Sequence, residues 1–453
     1  MPPDSGVGAV DSTIRQRTGM GVAWNHGGKL DDVEADLVRT ILARRLLPEG
    51  AVQVALLQNR GFQASLADIG MAQADLAQAG LLKNPVLDTS LRFPDRLYGL
   101  TDVAVGLSGD LLDLILLPAR RGVAAVQADS VRFRVAAEAL DLVADVRIAY
   151  WRLRADQAVA ALLRDRAAAA DATASLARRL NEAGNISDLD LAREQADAEE
   201  TRAEYSDALA AVAADREDLN RLMGLFGPEA ARWSVPEDIP APPPDRIPYG
   251  QLEAMAVRGN LHIASLRLQA GASARALGVA RDYGWLGDVE VGVSSEKNPE
   301  GYRVTGPTLR LALPIFDRGQ ASRQRAAATL AQDEDRLAQL AIDTRSRVRA
   351  IRDRLVRDRD LADRYDGVVV PLRRRILALG IRQYDFMLLG PFDLLRARQD
   401  EIAASRRLVE ARRDWWTEAA ELDRSLGGQR DVFRSTDASA PTSAPANTKE
   451  NHP

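Results

Sequence analysis

Val86-Leu87-Asp88-Thr89-Ser90-Leu91-Arg92-Phe93 alternates apolar and polar side chains, and after a turn holding Pro94 and Gly99 so does Asp102-Val103-Ala104-Val105-Gly106-Leu107-Ser108. A period of two sends successive side chains to opposite sides, so each segment is a strand with two unlike faces. The pattern returns later in the chain. Val289, Val291 and Val293 alternate with Asp288 and Glu290, and beyond a turn at Lys297-Asn298-Pro299-Glu300-Gly301, Leu309, Leu311 and Leu313 alternate with Thr308, Arg310 and Ala312. In water, four such strands need a covering layer, which long helices can supply. In a bilayer every backbone group must be paired, so strands cross only as a closed barrel. Four strands cannot close around a channel, but several chains contributing four each can, with lipid outside and lumen inside. The strand pattern leaves both readings open.

Each strand pair feeds a helical run too long for an ordinary domain. No Gly or Pro occurs from Val123 to Ala183, and none from Gln320 to Asp366. At 1.5 Å per residue the first run alone reaches roughly 90 Å. Its apolar positions Val131, Val135, Ala139, Leu142, Val146, Ala149 and Leu153 are spaced by three or four residues, which predicts one stripe facing neighbouring helices. The punctuation at Pro118 and Gly122 places the start of this helix after them. Gly184 stops it, and a second Gly/Pro-free run from Asn185 to Met223 makes an antiparallel helical hairpin. In the second half a break at Gly367 and Pro371, a tip from about Gly380 to Pro391 and a return helix from Phe392 to Leu426 are expected.

The two halves are one duplication. Ala64-Ser65-Leu66 recurs as Ala264-Ser265-Leu266, and at the same offset Thr89, Leu91 and Phe93 fall opposite Val289, Val291 and Val293. The organisation reads as an irregular lead-in over residues 1–30, a first repeat over 31–227, a Pro-rich linker over 228–248, a second repeat over 249–428 and a disordered tail over 429–453. Within the first repeat the strands fall at about 86–108 and the hairpin at about 123–223; in the second they fall at about 288–313 and 320–426. The linker, with seven prolines from Pro228 to Pro248, is expected to be extended and surface-lying.

Composition narrows the function. Charged residues make up 28% of the chain and are interleaved in sign, with a formal net charge of −5, so the one-sided basic footprint of a nucleic-acid binder is missing. There is no cysteine, hence no disulfide, thiolate metal site or lipidated cysteine, and no apolar run of eighteen residues that would make a transmembrane helix. The segment Met1-Pro2-Pro3-Asp4-Ser5-Gly6 lacks the pattern of an export signal. His26, His262 and His452 have no ligand companion at helical spacing and read as solvent or loop histidines. Tyr150-Trp151 and Trp415-Trp416 read as helix packing. Gly6-Val7-Gly8 follows no strand and is not a phosphate loop. Carboxylates pair with Arg at helical spacings, and none stands out as an acid and base. An enzyme assignment, a cofactor and a metal therefore have nothing to rest on.

The residues resemble the outer-membrane efflux protein family, the TolC-like channels. The carrying motifs are Ala51-Val52-Gln53-Val54-Ala55-Leu56-Leu57-Gln58-Asn59, Asn84-Pro85, Leu313-Pro314-Ile315-Phe316-Asp317-Arg318-Gly319, and the two helix-hairpin ends at Gly184–Leu191 and Gln383–Leu395. The resemblance covers about residues 30 to 428. It implies a mainly α protein with a small β part: internally duplicated long helical hairpins plus four strands contributing to a trimeric transmembrane β-barrel. It further implies an outer-membrane location with a periplasmic extension, a homotrimer, docking onto a periplasmic adaptor and an inner-membrane transporter, and contact with outer-membrane lipid, with no nucleic acid. The lead-in, linker and carboxyl-terminal segment would form an equatorial belt. Relatives usually carry an export signal and many a lipidated cysteine, and some constrict the entrance with acidic residues where this chain has Arg373-Arg374-Arg375.

Two sets of residues follow as candidates. Gly184, Ser187, Asp190, Gly380, Tyr384, Gly390 and Asp393 are assigned to the periplasmic tip, although Gly184 also reads as a left-handed helix stop and Ser187 with Asp190 as a cap. Phe386, Met387, Leu388 and Leu389 make that tip more apolar than a solvated turn requires, which suits either a partner or burial against the neighbouring hairpin. Leu87, Leu91, Val289, Val293, Leu309 and Leu311 are assigned to lipid, with Phe93, Tyr98, Trp285 and Tyr302 as interfacial aromatics. The expected function is a passive exit channel of a tripartite efflux system, closed at the hairpin tips at rest. The rivals are a soluble coiled-coil scaffold and the exit duct of a protein-secretion system.

Overall fold

A computed structural model describes residues 6–25, 29–93, 101–243, 249–297 and 301–428. The expectations for the tail, Tyr98, His26, His452 and the residues at the middle of both hairpin turns lie outside the described residues. Twelve α-helices and four strands occur in the described residues. Four helices precede the strands: α1 (Val7–Thr18), α2 (Lys29–Leu42), α3 (Pro48–Gln58) and α4 (Arg60–Ala79). Next come β1 (Val86–Arg92), β2 (Asp102–Asp110), α5 (Leu111–Glu182) and α6 (Asp188–Met223). The second half holds α7 (Pro228–Arg232), α8 (Leu252–Gly259), α9 (Leu261–Tyr283), β3 (Val289–Lys297), β4 (Arg303–Leu311), α10 (Gln320–Arg364), α11 (Val370–Asp385) and α12 (Pro391–Ser425).

The chain divides into two compact units, each drawing on both repeats. One comprises Met1–Arg39, Gln53–Val143 and Ala256–Arg347; the other comprises Thr40–Val52, Ala144–Met255 and Val348–Pro453. The first unit contains the whole sheet, a single antiparallel sheet in the order β1-β2-β3-β4. Its helices are joined by polar contacts between small residues. Ser130 on α5 and Ser265 on α9 each donate a hydroxyl to the other's backbone carbonyl at 2.9 Å, which holds two helix backbones at close approach. Ser273 on α9 donates to Asp333 on α10 at 2.6 Å. Asn59 and Asn260 cap α4 and α9 in the same way, accepting from Phe62 N and Ile263 N. These equivalent caps lie one residue further apart than the Ala-Ser-Leu repeats.

In the second unit, the later part of α5, α6 and α12 pack through apolar and small side chains. Ala170, Ala174 and Ala198 form one such cluster. Trp151 and Trp416 stack with ring centroids 4.5 Å apart, and Tyr150, fully buried, donates its hydroxyl to the Leu46 carbonyl at 2.9 Å. Burial lifts the Tyr150 phenol to about 12. The tryptophan pairs are thus helix packing, as their sequence suggests.

Several expectations are corrected. The lead-in is not irregular: Val7–Thr18 is a helix that buries Val10 and Ile14 and ends at Gly19 in a left-handed conformation. The long helix begins at Leu111, where the Asp110 carboxylate at the end of β2 accepts from Asp113 N at 3.0 Å and caps it, and it runs on through Pro118 and Gly122. Nor is its apolar surface one stripe. Ala136, Ala137, Leu140, Val143 and Ala144 are buried along with Val135, Ala139 and Leu142, so this stretch is covered on several sides. Gly367 and Pro371 do not break the second long helix; a π-helical turn at Tyr365–Val369 widens the coil and α11 continues from it. The Pro-rich linker is neither wholly extended nor wholly at the surface, since Pro228–Arg232 is helical and Trp233, Val235 and Ile239 are buried. Its backbone is held by Arg154 donating to the Pro236 carbonyl at 3.1 Å and Trp416 to the Pro240 carbonyl at 3.0 Å.

Candidate functional site

Register assigns every strand residue to a face. Leu87 pairs with Leu107, which pairs with Val293, which pairs with Pro307; Val291 pairs with Leu309 and Val289 with Leu311. Directly paired residues share a side, so Leu87, Leu91, Val289, Val293, Leu309 and Leu311 all lie on one face. Val103, Val105, Leu107 and Val291 join them, although they were not among the sequence candidates; the parity that selected Leu87 and Leu91 would have found them. This face is open, with Leu309 at 70% exposure and Leu87, Leu91, Leu107, Val293 and Leu311 also exposed. Exposed apolar area of this extent is what a soluble sheet avoids.

The apolar band is level within each hairpin and steps by four residues between β2 and β3. Its midpoint falls at Thr89 on β1, Val105 on β2, Val291 on β3 and Leu309 on β4, and register places Leu309 opposite Val291 and Gly109, about four residues below the Thr89 row. Four residues are ~13 Å along a strand and three strand spacings are ~14 Å across the sheet, giving a mean slant of about 43° over the four strands. Barrel strands tilt by roughly 35–45°. A level apolar belt drawn on tilted strands has this form.

The opposite face is mostly polar and small-chained, with Val86 and Val304 as apolar exceptions near its ends. Asp88, Ser90, Arg92, Asp102, Ala104, Gly106, Ser108, Glu290, Gly292, Ser294, Glu296, Gly306 and Arg310 occupy it. Arg310 donates to Glu290 at 2.6 Å, and Arg92 stands 3.8 Å from Glu296. At Gly292 a Cβ would lie 2.4 Å from the Leu107 carbonyl oxygen, so only glycine fits where β2 and β3 approach. β1 and β4 each have a neighbour on one side only, and β4 carries Pro307, a residue strands tolerate at an edge. Phe93, Trp285 and Tyr302 at the strand ends are exposed.

The helix-hairpin ends lie in the other unit. Between α5 and α6, Gly184 adopts φ 74° and its neighbours close the helix: Asn185 N bonds to the Leu180 carbonyl and Gly184 N to Asn181, each at 2.8 Å. Ser187 caps α6 by accepting from Asp190 N at 3.1 Å and donating its hydroxyl to Asp190 Oδ2 at 2.8 Å. Asn181 was missed by sequence reasoning; its amide bonds to the Ile186 carbonyl and to Asp188, spanning the turn. Leu189 beside the cap is exposed.

At the other end, Gly380 is not in the turn. It lies inside α11 and is buried, because a Cβ there would meet Leu394 Cδ1 at 3.4 Å and Leu389 Cδ2 at 3.6 Å; its small size lets α11 and α12 close together. Tyr384 is in the last turn of α11 and exposed, Gly390 precedes Pro391 at the start of α12, and Asp393 falls in its first turn, where a carboxylate suits the helix dipole. Phe386 and Leu388 are exposed, and Met387 is 93% exposed with φ 59°, a left-handed conformation that side chains rarely adopt. Leu389 turns inward instead. Arg373 pairs with Asp400 at 2.8 Å and Arg374 with Glu401 at 3.4 Å, so two of the three arginines are neutralised by α12.

Elsewhere, His262 is neither a loop nor an unpaired histidine: it sits on α9 with Nε2 2.8 Å from Asp141. Among the described residues no group of His, Asp or Glu could hold a metal ion, and no helix is long and apolar enough to cross a membrane. Asp215 on α6 stands out electrostatically. Desolvation first, then the hydrogen bond that its protonated carboxyl donates to Asp156 on α5, lift it to about 7.

Residues 51–225 match the sequence profile of the family Outer membrane efflux protein. No curated protein sequence matches the chain. Among solved structures, the Campylobacter jejuni CmeC outer membrane channel is similar at TM-score 0.70 and 16% identity, covering 84% of this chain and 86% of that one. The outer membrane protein VceC of Vibrio cholerae is similar at TM-score 0.68 and 15% identity, with 84% and 96% coverage. The open-state Neisseria gonorrhoeae MtrE outer membrane channel gives TM-score 0.61 at 17% identity, with 84% and 90% coverage. Sequence and fold agree: residues 51–225 match the outer membrane efflux protein family, and the chain shares its fold with solved bacterial outer-membrane channels of the TolC-like type.

Proposed function

We propose that the chain is the outer-membrane exit duct of a tripartite efflux system, through which cargo delivered by an inner-membrane transporter leaves passively. The observation that carries this reading is the open sheet: four strands, one exposed and obliquely apolar face, one polar face, and two unpaired edges. Unsatisfied edges are impermissible in hydrocarbon. Because the four strands alternate in direction, β4 of one copy meets β1 of the next antiparallel, and copies added edge to edge make an all-antiparallel ring. Three copies make twelve strands, an even number within the range of bacterial barrels. The apolar face then contacts lipid and the face with Glu290 and Arg310 lines the lumen.

The helix-hairpin ends are the docking points for a periplasmic adaptor. Supporting this role are the exposed Phe386, Met387 and Leu388, presented on a strained backbone beside α12, and the exposed Leu189 at the other hairpin. Spreading the ends would separate α6 from α12, which are linked where Gln399 donates to Asp197 at 3.0 Å.

The test exploits the lack of cysteine. Single cysteines placed in pairs along β1 and β4 should cross-link only between chains, giving a trimer in detergent and in vesicles. A monodisperse monomer that needs no detergent, with no interchain cross-link at any register, would establish the soluble scaffold instead.

A further inference from the structure

The hairpin end of the apolar face carries an arrangement that sheet energetics disfavour. Lys297 on β3 and Arg303 on β4 are directly opposite one another in register, on the side shared with Val293 and Leu309. Like charges at paired positions repel and destabilise a sheet. Both side chains are exposed, and neither makes an ion pair among the described residues. The nearest strand carboxylate, Glu296, points to the other face, towards Arg92. One row nearer the band, Thr305 donates its hydroxyl to Ser295 at 3.0 Å. The patch therefore presents an ammonium, a guanidinium and two hydroxyls, with no carboxylate among the described residues to balance them.

Depth completes the description. Lys297 is six residues from the band midpoint at Val291, and Arg303 is six from the midpoint at Leu309. At ~3.3 Å per residue and a tilt of about 43°, both stand roughly 14 Å from the midline, just beyond the half-height of an apolar band about 25 Å tall. The helices leave the sheet at its other end, so on the exit-duct reading this is the outward side. An anion at this level would lie between the two cations and relieve their repulsion, and phosphate oxygens match both a guanidinium and an ammonium.

We propose that Lys297 and Arg303, with the Ser295 and Thr305 hydroxyls beneath them, bind the phosphate of an anionic lipid in the outer leaflet, for which lipid A is the probe. The site rests on the membrane-spanning reading above and adds to it a lipid-binding position. Its apolar floor at Val293 and Pro307 receives the acyl chains, while a free phosphate ion would gain nothing from that floor.

The wild-type trimer, the K297Q/R303Q double variant and R318Q, which removes a cation at the opposite end of the sheet, are reconstituted in phosphatidylcholine vesicles with and without lipid A. Bound lipid is then counted by native mass spectrometry after detergent exchange, with inorganic phosphate as a competitor. Wild type and R318Q should retain lipid A at least tenfold more than the double variant, all three should insert equally into phosphatidylcholine alone, and millimolar inorganic phosphate should not displace the lipid. Equal retention by the double variant overturns the site. Complete displacement by inorganic phosphate overturns the lipid as its ligand. Failure of every variant to insert into either vesicle overturns the membrane reading itself, and the site with it.

Discussion

Replacing Leu309 by Arg separates a lipid-facing sheet from a solvated one. Leu309 lies at the midpoint of the apolar band on β4 and is 70% exposed, so in water the change removes little packing and should alter stability by no more than about 0.5 kcal/mol. In a barrel the same side chain sits near the bilayer midplane, where an arginine on the lipid face costs about 2–4 kcal/mol per protomer. The slant of the band makes the effect graded. Thr305, four residues nearer the hairpin end on the same face, is ~10 Å from the midline, so T305R should cost only about 0–1 kcal/mol. Urea unfolding of reconstituted protein, followed by tryptophan fluorescence and by loss of the folded band on gels, measures both. A loss for L309R indistinguishable from that for T305R, or below about 0.5 kcal/mol, refutes the assignment of this face to lipid and the tilt deduced from it.

Four further outcomes follow from the same geometry. G292A should destabilise the sheet by about 1–3 kcal/mol in the same urea assay, because its Cβ would lie 2.4 Å from a carbonyl oxygen, whereas G109A, with open space around it, should be nearly silent. S187A should cost about 0.5–2 kcal/mol through loss of the α6 cap, seen as faster amide exchange confined to the α5–α6 turn. F386D with L388D should leave trimer and melting temperature unchanged while abolishing pull-down of a co-expressed periplasmic adaptor; undiminished capture would remove the second hairpin end from the docking surface. Asp215 is raised in the folded chain to about 7, so the folded state holds its proton more tightly than the unfolded one: its contribution to stability is fully present below the ordinary carboxylate range and is lost as pH rises through about 7. Melting curves from pH 5 to 8 should show that decline in the wild type and lack it in D215N.

Much of this protein was legible in local pattern. Alternation at Val86–Phe93 and Val289–Val293 specified strands with unlike faces because the period of two is a property of extended backbone alone. The absence of Gly and Pro allowed helices of this length, and Gly184 with Ser187 spelled out a helix stop and cap whose hydrogen bonds run between near neighbours. Errors arose where a residue's effect depends on something distant or on a compensating group. Pro118 and Pro371 look like breaks, yet α5 runs through the first and a π-helical turn precedes the second without ending the coil. Gly380 looks like a turn glycine and is instead the close approach of two helices, visible only once Leu394 is placed against it.

The sequence by itself determined the strands, the long helices, their duplication and the two-faced character of the strands, since these depend on backbone sterics and side-chain spacing within a few residues. Tertiary structure alone decided the register. Pairing β2 with β3 across the 178 residues that separate them offsets the apolar band of one hairpin from that of the other and leaves β1 and β4 as the edges of the sheet. No local rule specifies which strands from distant repeats meet, because that choice is made by hydrogen bonds and packing between segments that are far apart in the chain.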